Sequence, residues 1–258
     1  MRSRTLIPIL SVLPALLACE LAAPPVVAPA GPGNGAKAKF LPAWQLPSET
    51  RRMPGKADQY ADFRLLHPDW YAVTEPPQGK DFHALVEWEE TQALLLAFPD
   101  SAYPESIARS IADIAVATVP YAKVYVVSKS QAARNVLVGH MKEGGLTQDT
   151  IDAQVSFLDF DGDSIWMIDF GPYPLVAADG TLAFGDFRYY HERTFDDAIP
   201  ARLADLWGVT DYRPQMYFEG GNFITDGEGR CYMTQGGYWE NPDATESEVE
   251  QVLKDYLG

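Results

Sequence analysis

The stretch that decides the fold is "DSIWMIDFGPYPLV", residues 163–176, taken together with the turn that follows it. Its apolar residues predict an extended strand, and the dipeptide Gly171-Pro172 predicts a break in that strand. Asp179-Gly180 then predicts a hairpin turn, because glycine adopts the positive φ of such turns without strain. The expected arms of this hairpin are residues 168–176 and 181–187.

The same order of elements returns about 60 residues later, a spacing at which repeated structural units are expected. The first unit has a predicted strand at 155–160 and a predicted helix at 198–207 around its hairpin. The second unit has a strand at 215–218, the hairpin "NFITDGEGRCYMT" (222–234) and a helix at 246–257. The sequence therefore predicts an α/β fold built from strand-hairpin-helix units.

The last predicted helix carries two signals that define its start and its buried face. Thr245 and Glu248 form a capping-box pattern at its N-terminus. An apolar stripe predicts burial against a sheet, and each side chain buried in this way contributes roughly 1.5–3 kcal/mol. The stripe consists of Val249, Val252, Leu253, Tyr256 and Leu257.

Ahead of these units, strands and helices alternate along the chain. Apolar runs at 93–98 and 122–128 predict buried strands, and helical spacing is present at 107–119 and 131–143. This alternation is typical of α/β proteins.

Composition and charge narrow the class of protein. The chain has 258 residues, of which 47% are hydrophobic, and this is typical of a globular protein. Its formal net charge of −16 argues against a nucleic-acid partner, because phosphate recognition needs a basic face. A cationic ligand is compatible with this charge, although a negative balance is more often a solubility feature.

The N-terminus predicts an exported lipoprotein. Two arginines precede a short apolar run, which is the pattern of a signal peptide over residues 1–18. The run ends in "LLAC", which resembles a bacterial lipobox and makes Cys19 the predicted lipidation site; the alternative is a chance cysteine in an ordinary apolar run. Residues 19–80 are predicted to be a Pro/Ala/Gly-rich tether and an extended arm, and residues 81–258 the folded domain. We therefore expect a protein of the cell envelope that is held at a membrane by its lipid anchor.

Two segments at equivalent places in the repeat carry candidate site residues. Trp166 and Asp169 precede the Gly-Pro break, and an acid and an indole can converge there on a cation. Glu219 is followed by two glycines, which allow close backbone approach, and then by Asn222. A surface acid, a core tryptophan and a glycine bulge are the structural alternatives. The equivalent positions of the two segments favour one shared site.

Three segments together carry a family resemblance. They are "EWEETQALLLAFP" (87–99), "DSIWMIDFGPYPLV" (163–176) and "EGGNFITDGEGRCYMT" (219–234). They resemble the agmatine deiminase and Porphyromonas-type peptidyl-arginine deiminase family of the pentein superfamily, which shows a W-x-R-D-x-G-P segment and an E-G-G-N/S segment followed by D-G-x-G. Order and spacing agree over about residues 85–240, including "FDDAIP" (195–200). Each segment alone is a weak signal, but the combination is specific.

The resemblance implies a pentein-type α/β propeller of five related units, of which this chain contains roughly three. It implies a guanidine deiminase in which a cysteine attacks the guanidinium carbon, a histidine transfers protons and carboxylates hold the guanidinium, without a metal or an organic cofactor. By motif match, Asp169 is a catalytic and substrate-binding carboxylate, and the other substrate-binding residues are Trp166, Glu219, Asn222 and Arg193. The implied ligand is a small guanidinium compound or an arginine-containing peptide.

The sequence departs from the family pattern at several positions. Ile168 stands where the motif has arginine, and His191 lies near Arg193 in a loop where another arginine is expected. The His-x-Asp pair expected after the E-G-G segment has no counterpart, because no histidine follows Asn222. The nucleophilic cysteine of the family is expected beyond Gly258.

Two functions of different classes follow from these observations. One is a lipid-anchored guanidine deiminase acting on peptidyl arginine, arginine or agmatine, of which this sequence is an incomplete copy without the catalytic His and Cys. The other is a non-catalytic envelope protein that binds arginine-like ligands in a degenerate pocket. Cys231 is interpreted as a small core side chain and not as the nucleophile.

Overall fold

The computed structural model describes residues 57–79 and 81–258. The predicted signal peptide, the predicted lipidation site at Cys19 and the tether lie outside these residues, as does the first part of the predicted arm. Within the described ranges, no helix is both long and apolar enough to cross a membrane.

Strands and helices alternate along most of the described chain. The strands are β1 (Phe82–Ala84), β2 (Ala93–Ala97), β3 (Lys123–Val127), β4 (Val155–Leu158), β5 (Tyr173–Ala177), β6 (Leu182–Gly185), β7 (Thr210–Tyr212), β8 (Ile224–Thr225) and β9 (Cys231–Tyr232). The α-helices are α1 (Ala57–Leu66), α2 (Glu105–Thr118), α3 (Gln131–Glu143), α4 (Gln148–Gln154), α5 (Met167–Phe170), α6 (Thr194–Asp197), α7 (Ile199–Trp207), α8 (Gly236–Trp239) and α9 (Glu246–Leu257). Two 3-10 helices span Pro68–Tyr71 and Gly220–Asn222. The predicted mixed α/β structure is confirmed.

A parallel sheet of β2, β3 and β4 has β3 at its centre. Because side chains alternate between the faces of a strand, Val124 and Val126 join a core that includes α2 and α3, whereas Val127 joins a core on the other face. Both faces of β3 are therefore covered, as its nearly continuous apolar sequence predicts.

A second sheet has the order β1-β5-β6-β7. Its β5–β6 hairpin turns at Gly180, whose φ of +80° is the conformation that the Asp-Gly dipeptide predicts. Phe184 of β6 packs in the core shared with β3, and Ala183 packs on the opposite face in the core shared with α9. The hairpin therefore lies between the two halves of the domain core.

Helix α9 confirms the predicted capping box and the predicted buried stripe. The Glu248 N–H donates to Thr245 Oγ1, and the Thr245 N–H donates to the Glu248 carboxylate at 2.7 Å. Four residues of the stripe are buried in the core that contains Leu175 of β5, and Val252 packs at its edge. The buried four are Val249, Leu253, Tyr256 and Leu257. The helix thus lies on the second sheet.

Several elements differ from the prediction. Residues 168–170, predicted as part of a hairpin arm, belong to the one-turn helix α5, and β5 begins only at Tyr173. Residues 215–218 are not a strand, since only Tyr217 forms an isolated bridge with Arg188, and the strand β7 lies before them. Helix α4 has no counterpart among the predicted elements. A short apolar run suits one helical turn as well as a strand, so periodicity does not separate the two.

The described part of the predicted extended arm is helical over Ala57–Leu66 and Pro68–Tyr71, whereas residues 72–79 form no helix or strand. Helix α1 and the 3-10 helix after it lie on the domain: the Tyr60 hydroxyl donates to Asp163 Oδ1 at 2.6 Å, and Arg64 Nη2 lies 3.4 Å from Asp197 Oδ2. A helix satisfies most of its own backbone hydrogen bonds, whereas an extended arm needs partners for them on the surface.

Candidate functional site

The segment that contains Trp166 and Asp169 changes from helix to strand within a few residues. Trp166 precedes the single turn of α5, and its carbonyl accepts the Asp169 N–H at 2.9 Å. Gly171 ends the turn by donating to the Met167 carbonyl at 2.9 Å, and a Cβ at this position would meet Met167 Sδ at 3.2 Å. The glycine thus lets the chain pass close to the helical turn, and Pro172 leads into β5.

The second segment lies directly against the first one. A Cβ on Gly220 would collide with the Ile168 carbonyl oxygen, and a Cβ on Gly221 would collide with Asp169 Oδ1. The Gly221 N–H instead donates to the Asp169 carboxylate. The two glycines are therefore required for close backbone approach, and the structure brings Glu219 and Asp169 into one site.

Asp169 is a buried carboxylate with an incomplete set of partners. It is 6% exposed, and its Oδ2 has no hydrogen-bond partner among the described residues. Burial raises the pKa of Asp169 from 3.8 to about 6, the Gly221 N–H lowers it, and the charge of Glu240 raises it further. An added cation at Oδ2 would favour the ionised form of this acid.

Two more acids meet at the hydroxyl of Tyr190. This hydroxyl is hydrogen-bonded to Glu219 Oε1 and lies 2.6 Å from Glu240 Oε1. Burial raises the pKa of Glu219 to about 7; the Tyr190 hydrogen bond lowers it, and the charges of Glu240 and Asp169 raise it. Burial likewise raises the pKa of Glu240. The site therefore holds three carboxylates whose ionisation is disfavoured by burial.

Tyr173 adds another buried polar group beside these acids. It is 7% exposed, and its hydroxyl has no hydrogen-bond partner in the described part of the chain. Burial raises the pKa of Tyr173 well above its ordinary value, and the charges of Asp169, Glu219 and Glu240 raise it further. The indole Nε1 of Trp166 is also buried without a partner in the described ranges. The site thus presents donors and acceptors that the described fold leaves unused.

Asn222 and Arg193 have other surroundings. Asn222 Oδ1 accepts the Thr234 N–H at 2.8 Å and joins the 3-10 helix to the end of the β8–β9 hairpin. Arg193 is buried, and its Nη1 lies 3.9 Å from Asp196 Oδ2 in a second group of buried charges. Substrate contact by either side chain stays a prediction.

Sequence reasoning missed Glu240 and Tyr190. Their hydroxyl–carboxylate contact joins positions 50 residues apart, and Tyr190 and Glu219 are 29 residues apart. No motif marks them, because each belongs to an irregular segment. The only available signal was an acid close to aromatic residues in "GGYWEN" (236–241).

Cys231 is exposed, and its interpretation as a core side chain is wrong. It lies in the two-residue strand β9, which pairs with the equally short β8, and its thiol is only partly covered by the residues around it. Burial and the charge of Glu250 raise the pKa of the Cys231 thiol. This shift disfavours the thiolate that a nucleophile requires.

The described residues contain no group of three or more His, Cys, Asp and Glu side chains that could hold a metal ion. His67, which begins the segment "HPD" (67–69) ahead of the family motifs, stacks on Trp70 with ring centroids 3.9 Å apart.

This chain resembles known proteins in its sequence. The profile of the family described as Porphyromonas-type peptidyl-arginine deiminase matches residues 83–258. A Mycoplasma capricolum protein, named provisionally as an agmatine deiminase, is 26% identical over 206 residues, which are 72% of this chain and 53% of that protein.

Solved structures show the same fold. The agmatine deiminase of Enterococcus faecalis superposes with a TM-score of 0.57 at 20% identity, covering 71% of this chain and 54% of that one. A Campylobacter jejuni agmatine deiminase with its substrate bound gives a TM-score of 0.58 at 21% identity, covering 70% and 55%. The chain thus spans about half the length of the relatives it matches.

Proposed function

Because the chain belongs to the Porphyromonas-type peptidyl-arginine deiminase family, we propose that its three-carboxylate site binds the guanidinium group of agmatine, arginine or peptidyl arginine. The observation that carries the proposal is Asp169 Oδ2, a buried carboxylate oxygen without a partner among the described residues. The reaction we propose for the whole protein is hydrolysis of the guanidine to a ureido product and ammonia.

The chemistry of the site suits a planar cation with several N–H donors. A buried carboxylate is costly unless a charge-assisted hydrogen bond satisfies it, and a guanidinium supplies such bonds in a fixed plane. Gly221 already occupies one side of Asp169, so the ligand approaches the free oxygen. The ring of Trp166 adds an apolar wall with a negative face.

In the proposed reaction, this chain's residues position the substrate. Asp169 holds the guanidinium so that its carbon stays accessible to a nucleophile. A thiolate adds to that carbon, ammonia leaves, and water then releases the ureido product and regenerates the thiol. We assign the thiol and the proton-transferring histidine to no residue of this chain.

The proposal extends to architecture and location. We propose that the chain supplies about three units of a five-unit propeller, whose other units carry the nucleophile. We further propose that the protein is exported and held at a membrane through lipid on Cys19. The first proposal is supported by coverage of about half of each relative's length.

A second candidate is a non-catalytic envelope protein that binds guanidinium ligands. Ile168 favours it: this residue stands where the motif has arginine, and its side chain is 69% exposed beside Asp169. An apolar group in place of a cation leaves more negative charge for the ligand to neutralise, but it removes a residue that the family motif contains.

Calorimetric titration with agmatine tests the binding proposal. Asp169→Asn removes the charge but keeps the shape, so we expect its affinity for agmatine to fall by roughly tenfold to a hundredfold. Asp113→Asn, on the exposed face of α2, is the matched control and should leave affinity unchanged. Equal affinities in wild type and Asp169→Asn would contradict the proposed site.

A colorimetric assay for ureido product then separates the two candidates. Product from agmatine or from an arginine-containing peptide supports the deiminase and identifies its substrate class. Binding without product, in a chain extended to the full length of its relatives, supports the binding protein.

A further inference from the structure

The hydroxyl of Tyr190 lies between two carboxylates. It is hydrogen-bonded to Glu219 Oε1 on one side and lies 2.6 Å from Glu240 Oε1 on the other. All three residues are partly buried. This arrangement of three oxygens in contact differs from an ordinary tyrosine–glutamate pair, such as the Tyr238 hydroxyl donating to Glu250 at 2.9 Å.

Counting protons shows what this arrangement requires. A phenol has one proton and can donate it to one carboxylate only. If both glutamates were ionised, the second contact would bring two lone pairs together without a hydrogen between them. A second proton, carried by one carboxyl group and donated to the phenol oxygen, turns both contacts into hydrogen bonds. The geometry therefore calls for one acid proton shared by two glutamates.

We propose that Glu219 and Glu240 share one proton through Tyr190 in the free protein, and that a guanidinium or amidinium ligand at Asp169 displaces it into solvent. The proposal rests on the proposed function for the identity of the ligand. The charges balance within the site: the guanidinium group enters with a charge of one, one proton leaves, and the site keeps the same net charge.

The groups around the shared proton support this exchange. Asp169 from α5, Tyr173 from β5, Glu219 from the segment before the 3-10 helix and Glu240 from the end of α8 all influence one another electrostatically. No lysine or arginine stands among the groups that shift these acids, within the described ranges. Two buried polar atoms, Asp169 Oδ2 and the Tyr173 hydroxyl, remain without partners there. A cation from outside is the missing component.

The exchange makes ligand affinity depend on pH near neutrality. Burial raises the pKa of Glu219 to about 7, so the shared proton is present below that value and competes with the cation. Affinity for a cation should rise with pH up to about 7, by as much as about tenfold per pH unit, and then level off.

Calorimetry of agmatine binding at pH 6.5, in two buffers of different ionisation enthalpy, counts the protons released. We expect about one proton from wild type. Glu240→Gln should release only the small fraction contributed by Asp169, because a glutamine amide donates to Tyr190 without an acid proton. Glu250→Gln removes a carboxylate from the ordinary Tyr238 pair and should still release about one.

A carbon-13 NMR titration of the glutamate carboxyl groups in the ligand-free protein provides an independent measurement. We expect Glu219 to titrate near 7 and burial to raise the pKa of Glu240 as well, and we expect the pKa of Glu219 to fall in Glu240→Gln because the charge of Glu240 is removed. This titration needs no ligand. Its wild-type part is informative even if Glu240→Gln does not fold.

The outcomes separate the two proposals. Agmatine binding without proton release, or glutamates that all titrate near their ordinary pKa, would overturn the shared proton and leave the proposed function intact. Absence of binding of agmatine, arginine and an arginine-containing peptide, together with a glutamate transition near 7, would overturn the proposed function and keep the shared proton. If magnesium chloride released as many protons as agmatine does, the preference for an organic cation would be overturned.

Discussion

Two groups of buried acids in this domain differ in where their positive charge comes from. In the first group, Arg213 lies between Asp186 and Asp197, at 2.6 Å and 2.7 Å, and all three side chains are almost fully buried. In the second group, Asp169, Glu219 and Glu240 influence one another without a described internal cation. The first group has its counter-ion within the fold, although Asp186 Oδ2 has no hydrogen-bond partner among the described residues, whereas we propose that the second group takes its counter-ion from a ligand. A buried acid is thus a candidate for ligand binding when no lysine or arginine among the described residues neutralises it.

Removing the internal cation should have the largest effect. Arg213→Met leaves Asp186 buried without its counter-ion and leaves Asp197 with Arg64 at 3.4 Å, so we expect the free energy of unfolding to fall by about 3–5 kcal/mol in urea denaturation at pH 7. Arg109→Met, whose exposed guanidinium pairs with Glu105 and Glu143, is the control and should change stability little. A small loss in Arg213→Met would mean that the first group resembles the second.

Adding a methyl group where the two site segments touch should have the next largest effect on stability. A methyl group in Gly221→Ala collides with Asp169 Oδ1, so we expect a stability loss of about 1–3 kcal/mol and weaker agmatine binding. Gly139→Ala, in open space on α3, should instead stabilise by about 0.5–1 kcal/mol. Urea denaturation and calorimetry of both variants check this contrast. Unimpaired binding in Gly221→Ala would show that the turn does not hold Asp169.

Neutralising Asp169 should change stability by a smaller amount and should increase it. Because burial raises the pKa of Asp169 from 3.8 to about 6, the folded state keeps this proton longer than the unfolded state as pH rises. Its stabilising contribution is complete below 3.8 and is lost as pH rises through about 6. Asp169→Asn should therefore gain about 1–2 kcal/mol at pH 8, because the amide carries no charge and its oxygen can still accept the Gly221 N–H.

Urea denaturation of wild type and Asp169→Asn at pH 4 and pH 8 measures this difference. The gain should be present at pH 8 and nearly absent at pH 4, while Asp113→Asn shows neither. A variant that loses both ligand affinity and stability at pH 8 would place Asp169 with the structural acids of the first group.

Local signals in the sequence predicted much of the fold. Helix α3 occupies the predicted residues 131–143, Gly180 and Gly227 have the positive φ of the two predicted Asp-Gly turns, and Thr245 begins α9 with its capping box. Each of these features depends on residues a few positions apart, so a short stretch of sequence is enough to predict it. The family assignment succeeded for a similar reason, because three short motifs keep their order.

Contacts between distant residues were not predictable in the same way. Asp169 was placed correctly ahead of the Gly-Pro break but on a strand, because one helical turn has no periodicity of its own. Glu240 and Tyr190 meet only after α8 and the loop after β6 have packed, and nothing local to either residue encodes this. The Thr234 N–H donates to Asn222 Oδ1, a contact across 12 residues that no local pattern marks, and ligand contact by Asn222 stays a prediction.

The bare backbone of Gly220 and Gly221 leaves no slack between the turn and Asp169. A tight contact of this kind transmits a displacement to its neighbours, and Asn222 Oδ1 continues the linkage by accepting the N–H of Thr234, two residues after β9. Binding of a ligand at Asp169 should therefore change the surroundings of the β8–β9 hairpin. The exposed thiol of Cys231 is a natural attachment point for a fluorophore that reports it.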